Sequence, residues 1–186
     1  AATSHAATIA KAAQIPHVAA NHYRYLYGLS GYKFADLLMA DSADILVVDV
    51  DDAELTAEQV HQLKDSGKTV FSYLSIGEAE DYRDYWNPEW KKNKPSFLLD
   101  ENKEWKGNYR VKFWDAGWQK LMIGRAQHIA QMGFDGIYLD IIDGYQQKSV
   151  IKAFGGDQKG ARRAMENFVI RLSQAVKQIN PRFKVI

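Results

Sequence analysis

Carboxylates gather where the apolar runs of this chain end. Ile45–Val50 contains and runs into Asp49, Asp51 and Asp52, and Phe71–Ile76 runs into Glu78, Glu80 and Asp81. Phe113–Trp114 runs into Asp115, and Ile137–Leu139 runs into Asp140 and Asp143. Grouped carboxylates suit two kinds of chemistry. In glycoside hydrolysis one acts as acid and another as nucleophile or base; alternatively, several together hold a hard divalent cation such as Ca²⁺ or Mg²⁺. The neighbouring rings of Tyr73, Tyr82, Tyr85, Trp86, Trp114, Tyr138 and Tyr145 favour the carbohydrate reading, because such faces stack on sugars, although any one of them can equally be core.

The carboxylates are not equivalent. Asp140 follows a run too apolar for a surface, where an unpaired charge is costly without a purpose. Glu78 ends another strongly apolar run. These two are the candidate catalytic pair. Asp49, Asp51, Tyr73, Glu80, Arg83, Trp114, Tyr138 and Asp143 are candidate substrate-binding residues. Arg83 is suited to orienting a carboxylate or binding a sugar hydroxyl, or simply to pairing with Glu80. Asp115 reads as a helix N-cap, Asp135 as part of a turn at the opposite end of its strand, and Asp52 and Glu54 as solvated charges. Two readings compete: a non-catalytic, truncated barrel that holds polysaccharide through Trp and Tyr faces without cleaving it, and, after that, a cation site built from Asp49, Asp51 and Asp140. The five histidines show no metal-ligand spacing, so no metal is expected.

Elements that could position these groups emerge from the pattern. From Tyr23 onward, short apolar runs alternate with longer amphipathic stretches, the mark of a parallel sheet with crossover helices. Strands are expected near Tyr23–Gly28, Ile45–Val50, Thr69–Ile76, Tyr109–Trp114, Gly136–Leu139 and Phe183–Ile186. Thr56 and Gln59 form a capping box for one helix, which Gly67 stops. Asp115 caps a second, and a third carries Ala161, Ala164, Phe168, Leu172 and Val176 on one face before Asn180–Pro181 ends it. In parallel α/β folds the site forms beyond the carboxyl ends of the strands, where the carboxylates lie. The glycines fit neither a dinucleotide nor a P-loop spacing, so no cofactor is expected.

Composition bounds the rest. At 186 residues with 46% hydrophobic content, one sizeable core is expected in residues 21–186, preceded by an Ala-rich tail or helix over residues 1–20. A formal net charge of +1 gives no footprint for nucleic acid, and no apolar run is long enough to span a bilayer. Cysteine is absent, which excludes disulfides and thiolate chemistry. The small residues at the start are similar to the first residues of a mature protein after signal-peptide cleavage, so a secreted or periplasmic bacterial protein is expected.

Three blocks carry a resemblance: SYLSIGEAEDYRDYW (Ser72–Trp86), WKGNYRVKFWD (Trp105–Asp115) and GFDGIYLDIIDGY (Gly133–Tyr145). Together they resemble glycoside hydrolase family 114, the endo-α-1,4-polygalactosaminidase-like proteins. The resemblance implies a (β/α)₈ TIM-type barrel that cleaves α-1,4-linked galactosamine polysaccharide with an aspartate, here Asp140, and a glutamate at the end of a later strand. That later strand would begin at Phe183–Ile186, so the glutamate has no match. The expectation is therefore an incomplete barrel of about five β/α units and the start of a sixth strand, completed by a further segment or a second chain.

Overall fold

The computed structural model describes residues 24–186; the expected N-terminal tail or helix lies outside them. Five strands form a parallel sheet: β1 (Tyr25–Gly28), β2 (Ile45–Val48), β3 (Thr69–Ser75), and two more near the end of the chain. Between β1 and β3 lie α1 (Phe34–Leu38), the single turn α2 (Val50–Ala53) and α3 (Ala57–Asp65). The capping box at the start of α3 forms as expected. Thr56 Oγ1 accepts from the Gln59 N–H at 3.2 Å, and Gln59 Oε1 accepts from the Thr56 N–H at 2.9 Å.

Beyond β3 the chain departs from the regular pattern. It makes a small antiparallel sheet from β4 (Glu78–Glu80), β5 (Leu98–Glu101) and β6 (Asn108–Val111), ordered β4-β6-β5. The run expected as a parallel strand at Tyr109–Trp114 is therefore β6, in the middle of an antiparallel sheet. Its alternation of buried and half-buried residues marks a strand but says nothing of its partners' direction. The long helix α4 (Ala116–Gln131) then returns to the parallel sheet through β7 (Gly136–Asp140), with Asp115 capping it through the Gly117 and Trp118 N–H groups. After α5 (Lys148–Ala153) and α6 (Gln158–Ile179), β8 (Lys184–Val185) pairs with β7, giving the order β1-β2-β3-β7-β8. The parallel sheet thus has five strands, not six, and it does not close into a barrel among the described residues.

Alternation along the strands sorts side chains to two faces. Leu46, Val48, Val70, Leu74, Ile137 and Leu139 join the helices in the main core, where Phe168, Leu172 and Val176 of α6 are fully buried. Ile45, Val47 and Phe71 form a smaller cluster on the opposite, inner face, with Leu29 and Tyr138 packed against it. At the strands' N-terminal edge, Asp135 pairs with Lys64 at 3.0 Å and accepts the Val70 N–H, a structural role at the end away from the other carboxylates.

Candidate active site

Register places the first candidate pair. Tyr73 lies beside Tyr138 and Ser75 beside Asp140, so Tyr73 and Asp140 stand two residues apart on the same inner face. The Tyr73 hydroxyl donates to Asp140 Oδ2 at 2.8 Å, and the Ile141 N–H donates to Asp140 Oδ1 at 2.8 Å. Both carboxylate oxygens are acceptors in this arrangement. Burial, then the charges of Glu80 and Asp140 and the bond to Asp140, hold the Tyr73 phenol well above its ordinary pKa, so it stays protonated and able to donate.

Glu78 begins β4, just past the sharp exit from β3. It is 2% exposed and accepts from Asn102 Nδ2 at 2.9 Å and Asn108 Nδ2 at 3.3 Å. Burial pushes its carboxyl above the ordinary value, and the two amide donors only partly offset that. Asn108 starts β6 and Asn102 follows the end of β5, and sequence reasoning missed both: neither is titratable or adjacent to Glu78 in the chain, and only the pairing of these strands brings them together.

Arg83 is the hub of the opposite wall. Its side chain is 8% exposed and meets Asp49 Oδ2 at 2.7 Å, Glu80 Oε2 at 2.6 Å and Asp51 Oδ2 at 3.2 Å. Burial works against its charge, but the bonds to Asp49 and Glu80 and their attraction outweigh it and raise its pKa. Asp49 also caps α2 through the Asp51 and Asp52 N–H groups. Arg125, on α4, grips Asp51 and Asp84 from outside and lies over the Tyr85 ring. Tyr82 donates to Glu80 Oε1 at 2.8 Å. Asp49 and Asp51 are therefore committed to guanidinium groups rather than turned toward a common cation with Asp140. Among the described residues no three His, Cys, Asp or Glu side chains converge as a metal-holding group.

A cavity of about 400 Å³ brings these parts together: Asp49, Tyr73, Glu78, Glu80, Arg83 and Asp140 line it, with Leu29, Ser30, Asn108 and Ile141, while Tyr82 and Trp105 stand at its exposed side. Trp105 is 68% exposed, an apolar ring held in water beside buried carboxylates. It lies in the loop between β5 and β6, and its exposure was not readable from the sequence.

Four expected site residues are not among those lining the cavity. Trp114 packs edge-on against Phe113 and Phe154, because it comes after an antiparallel strand rather than a parallel one. Tyr138 lies deeper on the inner face, edge-on to Tyr27. Asp143 is exposed, ahead of the turn at Gly144–Gln146, since the chain swings away after Asp140. Asp51 pairs with Arg83 and Arg125. A larger hollow of about 690 Å³ along α4, lined by Tyr85, Trp90, Lys120 and Arg125 among others, holds neither Asp140 nor Glu78.

Comparison with known proteins gives the family and the fold. Residues 2–180 match Glycoside-hydrolase family GH114. An uncharacterized protein of Methanocaldococcus jannaschii is 40% identical over 123 residues, covering 66% of this chain and 35% of that protein. An uncharacterized protein of Deinococcus radiodurans is 34% identical over 145 residues, covering 77% of this chain and 45% of that protein. The chain thus spans less than half the length of these relatives. Aspergillus fumigatus Ega3, solved in complex with galactosamine, superimposes with a TM-score of 0.68 at 22% identity, covering 88% of this chain and 58% of Ega3. The glycoside hydrolase domain of PelA from Pseudomonas aeruginosa gives a TM-score of 0.62 at 23% identity, over 89% of this chain and 58% of that domain. These two likenesses establish the fold.

Proposed function

We propose that this chain, which belongs to Glycoside-hydrolase family GH114, carries the site of an endo-acting glycosidase that cleaves α-1,4-linked, galactosamine-containing polysaccharide. The observation that carries the proposal is the cavity holding two carboxyl groups in opposite settings. Asp140 accepts hydrogen bonds on both oxygens, whereas burial disfavours the charged form of Glu78. Glycoside hydrolysis asks for such a division. One carboxylate, here Asp140, meets the positive charge that develops at the sugar's anomeric carbon, as nucleophile or as base toward water. A protonated carboxyl, here Glu78, gives its proton to the leaving oxygen.

The remaining residues serve that step. Tyr73 holds Asp140 in place, and Arg83 fixes Asp49 and Glu80 in the wall. Trp105 and Tyr82 offer faces on which successive sugars stack. With Glu78 protonated, three carboxylates, Asp49, Glu80 and Asp140, still line the cavity against Arg83 alone, and this excess of acids favours a cationic amino sugar over a neutral one. The galactosamine bound in the structurally similar Ega3 supports the same substrate class. No helix among the described residues is long and apolar enough to cross a membrane. The enzyme of this proposal works outside the cytoplasm, where such a polysaccharide is met. The open parallel sheet, with Tyr25 and Tyr27 half exposed on its inner face, supports completion by further strands from a longer polypeptide or a second chain.

The test is a substrate panel: partially deacetylated α-1,4-galactosaminoglycan, its fully N-acetylated form, and a neutral α-1,4-glucan, with product length monitored over time. Internal cleavage that requires free amino groups is expected. Equal cleavage of the neutral glucan would overturn the substrate assignment, and release of single sugars from chain ends would overturn the endo assignment.

A further inference from the structure

Ile141, the residue after Asp140, has φ 57°, in the left-handed region. A β-branched side chain adopts this region rarely, because its branches crowd the backbone there; such outliers persist only where the surroundings impose them. Glu54, with φ 54°, is the other non-glycine case among the described residues, but it is an exposed, unbranched residue at the C-cap of α2. Ile141 instead lines the cavity, and two glycines form a seat for it.

The seat is specific. A Cβ on Gly77 would collide with the Ile141 carbonyl oxygen and would lie 2.7 Å from Ile141 Cγ2 and 3.0 Å from its Cβ. A Cβ on Gly144 would lie 3.4 Å from the same Cγ2. The Gly144 N–H donates to the Ile141 carbonyl at 3.1 Å, closing the turn. On the other side, the Ile76 N–H donates to the Asp140 carbonyl at 3.2 Å, and the Ile76 carbonyl accepts from Trp118 Nε1 at 2.8 Å. The peptide groups on both sides of Ile141 are thus fastened, and the bond from Ile76 holds the Asp140–Ile141 peptide so that the Ile141 N–H reaches Asp140 Oδ1.

We propose that Ile141, seated against Gly77 and Gly144, is a positioning residue: its seat holds the Asp140–Ile141 peptide, whose N–H meets Asp140, and so fixes the carboxylate that Tyr73 holds from the other side. The inference rests on the reading of Asp140 as the reacting carboxylate. It gives Gly77 a purpose that its own conformation does not demand, since its φ lies outside the left-handed region and only the contact with Ile141 excludes a side chain.

The experiment compares wild type with Gly77→Ala, Ile141→Gly, Ile141→Val and Asp140→Asn. Two readouts are taken: kcat and KM on partially deacetylated α-1,4-galactosaminoglycan, and hydrogen exchange of the Ile141 amide by NMR. Gly77→Ala is expected to lower kcat about tenfold or more with KM within about twofold, because it displaces a reacting group without removing it. The Ile141 amide in that variant is expected to exchange about tenfold faster or more. Ile141→Gly, which permits the turn but loses the seat, is expected to lower kcat about fivefold, while Ile141→Val stays within about twofold of wild type.

A folded Gly77→Ala protein with unchanged exchange and unchanged kcat would overturn the proposal. If Gly77→Ala does not fold, Ile141→Gly decides, and an unchanged kcat there overturns it. If Asp140→Asn turns over like wild type, the reading of Asp140 fails. The exchange rates still decide the hydrogen bond in that case, as they do if none of the proteins turns over.

Discussion

Replacing Arg83 by methionine removes the single cation that three carboxylates share while keeping much of the side chain's volume. Asp49 and Glu80 are 6% and 4% exposed, so water cannot take over the bonds that they lose. Breaking a buried ion pair from one side costs about 3–5 kcal/mol, because charge remains buried without compensation. Asp51 adds little, being more exposed and still held by Arg125. For a protein of this size about 1 kcal/mol moves Tm by about 2–4 °C, so Arg83→Met should lower Tm by about 6–20 °C. Replacing the whole group tests the cause. Asp49→Asn and Glu80→Gln added to Arg83→Met should restore more than half of the loss, because the stranded charges are gone. The assay is thermal and urea unfolding of the single and triple variants at neutral pH. A single variant within about 2 °C of wild type, or a triple variant less stable than the single, would refute the reasoning.

Neighbouring groups carry further expectations. Tyr73→Phe removes a hydroxyl that donates to Asp140 and should lower kcat about 10- to 100-fold, the worth of a hydrogen bond to a charged group, with KM little changed in steady-state assays. Burial raises the pKa of Glu78 above its ordinary 4.5, so its contribution to stability is fully present below that value and is lost as pH rises through the folded-state pKa. Urea midpoints should therefore coincide for wild type and Glu78→Gln at about pH 4, with the variant the more stable at about pH 7. Trp105→Ala should raise KM about fivefold or more at nearly constant kcat, since the ring stands at the cavity's exposed side, away from the reacting bond.

The sequence disclosed the parallel strands because strands buried on both faces read as unbroken apolar runs, and it disclosed the caps at Thr56 and Asp115 because capping chemistry is local. It placed Asp140 and Glu78 at strand ends for the same reason. Pairing direction was not legible: Asn108–Val111 has the composition of any strand, its near partner β5 was not expected as a strand, and its other partner β4 lies far back along the chain. That one error carried Trp114 into the expected site. The pairing of Arg83 with Asp49, from 34 residues away, and the amides around Glu78 depend on how the antiparallel sheet folds over the strand ends. The left-handed turn at Ile141 left no trace either, because isoleucine is among the last residues expected there.

The most direct test of the account is release of new chain ends from partially deacetylated α-1,4-galactosaminoglycan, measured for wild type and Asp140→Asn in this chain and in a longer polypeptide that contains it. The account predicts that whichever form is active loses about a thousandfold or more of its rate on Asp140→Asn while still binding the polysaccharide. Hydrolysis that survives Asp140→Asn at the wild-type rate would contradict it.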